Sequence, residues 1–231
     1  MSQALNTQSG VWGDYDNDGD LDLFITYMAG PNQLWQNDGG DQFTNIASGA
    51  LADPGPSIAA GWADYDLNGA LDLFVGNHLG DNLLLRNDTT NNNNWLGVKL
   101  KGTRSNTTAI GAKVTLITNS GSQYREMGSN HGFWSQPNLA LHFGLASETS
   151  VNQVEVQWPS GLTSSHTVAG INQTVTLVEP NNWTDVAKGT PLASLTAGTA
   201  IAWGDVDGDG DDDAYVVGMD ESEGNALYIN N

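Results

Sequence analysis

The chain has 231 residues, of which 27 are acidic, 7 are basic and none is cysteine, so its formal charge at pH 7 is −20. Such a charge disfavours binding to nucleic acid or to anionic membranes, and the lack of cysteine excludes disulfides, thiolate-bound zinc and thiol catalysis. A hydrophobic share of 39% with eight tryptophans predicts a folded chain, and 21 Asp against 6 Glu indicates turns and hard-cation sites rather than helix surfaces.

Three segments repeat one pattern, an Asp-rich loop followed by a short apolar run. They read GDYDNDGDLDLF at 13–24, ADYDLNGALDLF at 63–74 and GDVDGDGDDDAY at 204–215. A tryptophan stands two residues before the first Asp of each loop, at Trp12, Trp62 and Trp203. A fixed repeat of this kind is typical of propeller blades or solenoid units.

The first two repeats begin 50 residues apart, and the third follows much later, so another segment is inserted. The run FTNIA at 43–47 precedes Trp62 much as WTDVA at 183–187 precedes Trp203. We therefore predict two blade repeats over 1–88, a polar linker over 89–94, a different domain over 95–179, and a third, apparently truncated repeat over 183–231.

Apolar periodicity predicts strands throughout. Each Asp loop is followed by a run typical of a buried strand, at 23–25, 73–75 and 215–217, and the inserted segment alternates apolar and polar residues around 98–100, 114–116, 154–158 and 175–177. No stretch has a sustained helical period. The prediction is an all-β protein, with blades of about four strands each and a second β domain.

Oxygen ligands at alternate loop positions, with a Gly at position six, are typical of a calcium site. We predict about three Ca²⁺ ions, one per loop, with side chains at positions 1, 3, 5 and 9 and a main-chain carbonyl at position 7. The predicted ligands are Asp14, Asp16, Asp18, Asp20 and Asp22 in loop 1; Asp64, Asp66, Asn68, Ala70 and Asp72 in loop 2; and Asp205, Asp207, Asp209, Asp211 and Asp213 in loop 3.

Other interpretations of these loops carry less weight. Position 12 is Ile25, Val75 or Val216, and the flanks read as strands, so the loops are not EF-hands, which place Glu there between helices. Asp and Asn also form Asx-turns without a metal. Three loops in register, each crowding carboxylates together, favour calcium over turns alone. Loop 2 has Asn68 in place of an Asp, so we expect it to bind calcium more weakly.

The Asp loops resemble the FG-GAP/VCBS repeats, the calcium-loop blades of integrin-type β-propellers. The inserted segment resembles the ASPIC/UnbV domain through NWLGVKL at 94–100, AIGAKV at 109–114, LHFGL at 141–145 and VEVQWPSG at 154–161. The combination resembles the cartilage acidic protein family. This resemblance implies an incomplete set of propeller blades plus a β-sandwich-like domain, in an extracellular, calcium-stabilised, non-catalytic scaffold for adhesion or ligand binding.

Three blade units are fewer than the four to eight that close a propeller. We expect either further blades in a longer parent chain or oligomerisation. The first residues show no basic and apolar export signal, and no stretch approaches 18 apolar residues. We therefore expect no membrane insertion, and secretion or surface display through a signal outside this chain.

The remaining candidate residues suggest weaker alternatives. The four histidines, His78, His131, His142 and His166, lack ligand spacing, and no catalytic motif is present. The loop around Trp134 is suited either to stacking on sugar or, as we expect, to packing into the sandwich core. The leading hypothesis is a non-catalytic module with an unknown protein or glycan ligand; the alternatives are a carbohydrate-binding accessory or glycan-active enzyme, and a structural spacer.

Overall fold

The computed structural model describes residues 6–40, 42–128, 132–136, 138–181, 198–206, 208, 212–218 and 226–228. The fold is all-β, as predicted, with one short 3₁₀ turn at Gly49–Ala52. No helix in these residues is long and apolar enough to cross a membrane. The chain divides into two compact units, residues 1–180 and residues 181–231.

The first repeat forms a four-stranded antiparallel sheet, here called blade 1, in the order β1-β2-β3-β4. Its strands are β1 Thr7–Gly13, β2 Asp22–Tyr27, β3 Gln33–Asn37 and β4 Phe43–Asn45. The second repeat forms blade 2, in the order β5-β6-β7, from β5 Ser57–Ala63, β6 Asp72–Asn77 and β7 Leu83–Leu85. Both blades place their Asp loop between the first and second strands.

Blade 1 packs face to face on blade 2. Phe24 and Leu34 of blade 1 are 0% and 1% exposed, and the ring of Trp62 meets Phe24 edge to face at 6.3 Å. Val11, Ala60, Leu73 and Val75 complete this core. Alternation along each strand sends one face to the neighbouring blade and the other away from it.

The equivalent residues of blade 2 are exposed. Phe74 and Leu84 lie 50 residues after Phe24 and Leu34, in the same register, yet they are 48% and 55% exposed. The expectation of a buried strand at 73–75 is therefore right for Leu73 and Val75 and wrong for Phe74. Sequence periodicity shows that a strand has an apolar face, but it does not show whether another sheet covers that face. For Phe74, no other described sheet of this unit does.

Residues 94–178 form a two-sheet sandwich in which one sheet runs β10-β9-β12-β13 and the other β11-β8-β14, with β8 and β14 parallel. Trp158, Phe143, Leu96 and Leu116 are among the side chains fully buried between the sheets. The strands are β8 Asn94–Lys101, β9 Lys113–Ile117, β10 Ser122–Glu126, β11 Ala140–Ala146, β12 Gln153–Gln157, β13 Thr163–His166 and β14 Gln173–Val178.

The second unit contains a three-stranded antiparallel sheet in the order β15-β16-β17. Its strands are β15 Gly198–Gly204, β16 Asp213–Gly218 and β17 Ala226–Tyr228. Within β16, Ala214 and Val216 are buried, whereas Tyr215 is 40% exposed. The third repeat thus has the strand arrangement of blade 2, with Tyr215 at the position of Phe74.

Candidate metal centre

The Asp loops begin directly after a first strand and end with the Asp that begins the second. Each contains a residue in left-handed backbone at position 4, namely Asn17, Leu67 and Gly208, with φ of 60°, 62° and 80°. Gly19 and Gly69 at position 6 also have positive φ, at 102° and 91°. Two left-handed residues in so short a segment curl the backbone, so that its amides and side chains converge.

The Asp at position 1 stabilises the curled backbone by accepting hydrogen bonds from it. Asp14 accepts hydrogen bonds from the amides of Asp18 at 3.1 Å and Gly19 at 3.0 Å. Asp64 accepts the equivalent bonds from Asn68 and Gly69, both at 3.0 Å. The Asx-turn geometry expected of such residues is therefore present in both loops, together with the clustering of carboxylates.

The Asp at position 9 connects the loop to its sheet through hydrogen bonds. The amide of Tyr15 donates to Asp22 at 3.1 Å, and the amide of Val206 donates to Asp213 at 2.7 Å. The other oxygen of Asp22 accepts from the amide of Asn37 at 2.9 Å. In loop 2, Asp72 accepts from Tyr65 at 3.0 Å and from Asn87 at 2.7 Å.

The role of Asn37 and Asn87 was missed from the sequence. These residues stand 50 apart, Asn37 at the end of β3 and Asn87 two residues after β7, and each is followed by Asp. Besides donating through their amides to position 9, both donate through their side chains to the position-8 carbonyl, of Leu21 at 3.3 Å and of Leu71 at 3.1 Å. Their recurrence at the same offset as the Asp loops was the available signal.

Loops 1 and 2 each bring three carboxylates together. In loop 1, ligand atoms of Asp14, Asp16 and Asp18 lie within 4.8 Å of one another. In loop 2, the group is Asp64, Asp66 and Asp72. Of the other predicted ligands, Asp20 is exposed, and Asn68 accepts from the amide of Ala70 at 2.7 Å.

Loop 1 has an unsatisfied acceptor. Gln36 donates to one oxygen of Asp16 at 3.1 Å, but the other, Oδ1, is buried and has no hydrogen-bond partner among the described residues. A buried carboxylate oxygen without a partner is destabilising. A cation placed among the three carboxylates would supply the missing interaction, so the donor set fits a hard divalent ion.

The electrostatics of loop 1 agree with this fit. Burial, followed by the charges of Asp18 and Asp22, raises the pKa of Asp14 to about 8. Burial also raises the pKa of Asp22 to about 7, against the hydrogen bonds from Asn37 and Tyr15. The pKa of Asp64 in loop 2 is raised by burial too. Such raised pKa values mark carboxylates whose negative charge is poorly compensated by their surroundings. A bound cation would provide that compensation.

Loop 1 is enclosed by the sandwich, whereas loop 2 is covered at Gly69, where Trp95 packs, and is otherwise more exposed. The amide of Gly144 in β11 donates to Asp14 at 3.0 Å, and the amide of Ala146 donates to the carbonyl of Asn17 at 2.8 Å. The side chain of Asn17 bonds His142 at 2.6 Å. In loop 2, by contrast, Leu67 is 81% exposed.

Loop 3 is only partly described. Asp205 is exposed and accepts from the amide of Gly208 at 2.6 Å, and Asp213 is buried. The predicted ligands Asp207, Asp209 and Asp211 lie outside the described residues.

Two of the four histidines, His142 and His166, make contacts typical of structural residues. His142 stacks on Trp95 at 5.8 Å, and burial, aided by Arg125, lowers its pKa to about 4. His166 bonds the hydroxyl of Ser164 at 2.8 Å. His78 is exposed, and His131 lies outside the described residues.

The carboxylate of Glu179 is buried among hydrogen-bond donors, a feature that was not predicted from the sequence. Its Oε2 accepts from three consecutive amides, those of Thr103, Arg104 and Ser105, each at 2.8 Å, and Oε1 accepts from the hydroxyls of Ser105 at 2.9 Å and Ser160. Burial alone would raise its pKa, but these hydrogen bonds together lower it to about 2. Glu179 therefore joins the end of β14 to two sandwich loops.

Trp134 does not pack into the sandwich core, so that expectation is wrong. Its side chain is 77% exposed and stacks on Phe133 with ring centroids 4.9 Å apart. The amide of Phe133 donates to the hydroxyl of Ser9 in β1 at 3.1 Å. The loop is thus attached to blade 1 at Phe133, and a Cβ on the adjacent Gly132 would lie 2.5 Å from the hydroxyl of Ser9.

Comparison with known proteins agrees with this architecture. Residues 14–75 match the family described as FG-GAP-like repeat, and residues 102–183 match the family described as ASPIC and UnbV. Cartilage acidic protein 1 of Homo sapiens is 35% identical over 104 residues, which are 44% of this chain and 15% of the human protein. The protein of the same name from Mus musculus is 34% identical over 103 residues, 43% of this chain and 16% of the mouse protein.

The matched region is thus a small part of these relatives. The resemblance predicted from the Asp loops and from the inserted segment is confirmed: one part of the chain matches the FG-GAP-like repeat, another matches the ASPIC and UnbV family, and part of its length is similar to cartilage acidic protein 1.

Proposed function

We propose that this chain is a calcium-binding, non-catalytic, extracellular module for adhesion or ligand binding, with one Ca²⁺ in each Asp loop. The observation that carries the proposal is the three-carboxylate group of loop 1, whose buried Asp16 Oδ1 has no partner among the described residues. When bound, calcium supplies positive charge and a crosslink among the loop oxygens.

The donor set favours calcium over other ions. The two described groups contain only carboxylates, whereas zinc prefers nitrogen or sulfur ligands. The loops offer several oxygens on curled backbone, which suits the variable coordination of calcium better than the strict octahedron of magnesium. Modules that work outside cells, where calcium is abundant, need only weak sites, with a Kd of roughly 10⁻⁴–10⁻³ M.

The chain's own residues prepare loop 1 for the ion. Asp14 is oriented by the amides of Asp18, Gly19 and Gly144, and Asp22 by those of Tyr15 and Asn37. Less conformational entropy is then lost on binding than in a mobile loop. This enclosure supports the expected ranking, in which loop 1 binds more tightly than loop 2.

Thermal unfolding with calcium and with EGTA tests the proposal. An ion that binds only the folded state stabilises it by about 2.7 kcal/mol at 100 times its Kd, so we expect a rise in Tm with calcium and a smaller rise with magnesium. The exposed Asp81, outside the loops, provides a control variant, Asp81→Asn, with an unchanged shift. Equal Tm values in calcium and EGTA would contradict the proposal.

Calorimetric titration of single-loop variants tests the ranking. We expect Asp14→Ala to remove the tighter site and Asp64→Ala the weaker one, because loop 2 has Asn68 for an Asp and is more exposed. A larger loss of calcium affinity in Asp64→Ala than in Asp14→Ala would reverse the ranking.

Carbohydrate recognition is a second candidate, favoured by one observation. Trp134 presents 77% of its surface to solvent instead of entering the core, and exposed aromatic faces are common in ligand sites. Screening of the wild type and Trp134→Ala on a glycan array tests this candidate.

A further inference from the structure

A cleft of about 440 Å³ lies between the blades and the sandwich, within the first compact unit. The first strands of both blades form one wall, and strands β10 and β11 with the loop around Gln136 form the other. Its volume lies in the range of about 300–1,000 Å³ that is typical of small-ligand sites. Asp14 of loop 1 lies at its edge, and none of the other lining residues is a predicted calcium ligand.

Aromatic rings line the cleft. Trp12 and Tyr124 are each 51% exposed although they border a concave surface. Trp12 is held edge to face against Phe43 at 6.2 Å, and Trp62 donates from its indole to the carbonyl of Val11 at 3.3 Å. Trp12 and Trp62 are therefore fixed by their neighbours, and Trp12 and Tyr124 leave surface available for stacking.

The polar groups of the cleft have hydrogen-bonding capacity to spare. Gln136 and Asn138 lie on its wall with exposed amide side chains. Arg125 is held on the same wall, where it donates to Gln123 at 3.2 Å and to the carbonyl of Tyr124 at 3.0 Å; its Nε and the hydroxyl of Ser135 are buried and have no partner among the described residues. The exposed amides of Gln136 and Asn138 can serve both the donors and the acceptors of a ligand.

The charges of the cleft disfavour an anionic ligand. Among the residues that line the cleft, Asp14 and Glu126 are acidic and Arg125 is basic. Arg125 also lies over the ring of Phe143 at 5.3 Å, which fixes its position. A single guanidinium between carboxylates, in a chain of charge −20, does not attract phosphate, sulfate or another strong anion.

We propose that this cleft binds a neutral saccharide, with Trp12 and Tyr124 stacked on the apolar faces of the sugar rings and Gln136 and Asn138 bonded to its hydroxyls. A saccharide combines flat C–H faces, which stack on aromatic rings, with many neutral hydroxyls, which bond to amides. The walls of the cleft carry both aromatic rings and amides. The inference rests on the proposed ligand-binding function, and it places the ligand in the cleft rather than on the loop that carries Trp134.

The experiment begins with an array of neutral, sialylated and sulfated oligosaccharides, using the whole chain in calcium. The best neutral oligosaccharide is then titrated by calorimetry into the wild type and four variants. We expect Trp12→Ala and Tyr124→Ala each to weaken binding by about tenfold or more, which corresponds to the loss of one stacked ring. Trp203→Ala is the matched control, because Trp203 occupies the same repeat position, is 65% exposed and belongs to the second compact unit.

Four outcomes would overturn the inference: no binding to any neutral glycan, selective binding to sulfated glycans, an unchanged affinity in Trp12→Ala and Tyr124→Ala, or a loss in Trp134→Ala alone. Calcium-dependent Tm values measured on the same samples separate the two proposals. A calcium shift without glycan binding leaves the calcium module intact and rejects only the saccharide cleft.

Discussion

Phe24 and Phe74 offer a paired test of how the blades pack. The two residues occupy the same position of the two repeats, in β2 and β6, yet Phe24 is fully buried against blade 2 and Phe74 is 48% exposed. Truncation of each to Ala therefore makes the same chemical change in two different environments. The difference between the two losses of stability measures the contribution of the blade interface.

The structure sets the expected magnitudes. Removal of a fully buried Phe leaves a cavity and costs about 3–5 kcal/mol. Full burial of such a side chain is worth about 1.5–3 kcal/mol, so the half-exposed Phe74, whose removal opens no closed cavity, should cost about 1 kcal/mol. For a unit of this size each kcal/mol corresponds to roughly 2–4 °C in Tm.

Urea unfolding followed by tryptophan fluorescence, in excess calcium, provides the assay. Equal slopes of unfolding free energy against urea would show that neither variant changes the compactness of its end states. If Phe74→Ala costs as much as Phe24→Ala, the outer face of blade 2 is covered in solution, and our account of its exposure is wrong.

Three further predictions concern the loops and the sandwich. The pKa of Glu179 is about 2 instead of 4.5, so its ionised form stabilises the fold fully above a pH of about 4.5, and this stabilisation is lost as the pH falls through about 2. The difference in Tm between the wild type and Glu179→Gln should therefore narrow as the pH falls over that interval. A difference in Tm that stays constant with pH would refute this prediction. Gly144→Ala should lower both Tm and the calcium affinity of loop 1, since a Cβ there would overlap Asp14 and Asn17; an unchanged affinity would argue against the coupling. Leu67→Gly should raise stability by up to about 1 kcal/mol in urea unfolding, because Leu67 is left-handed and exposed; a loss would contradict the strain.

The local pattern of the sequence was sufficient to predict the strands and the curled Asp loops between them. Alternating Asp residues with Gly19 or Gly69 predicted curled loops, and the apolar runs predicted the strands that flank them. These features depend on backbone preferences and on neighbours a few residues away, which one repeat already contains. Comparison among the repeats then revealed the inserted domain.

Tertiary structure decided the environment of each repeat. Asn17 and Leu67 hold the same loop position, but contact with His142, 125 residues along the chain, buries Asn17, whereas Leu67 is 81% exposed. The bond from Gly144 to Asp14 spans 130 residues. Equivalent sequences therefore acquire different burial and charge compensation, because these properties depend on what lies opposite each loop in space. The expected affinity for an ion depends on these surroundings together with the ligands of the loop itself, such as Asn68 in loop 2.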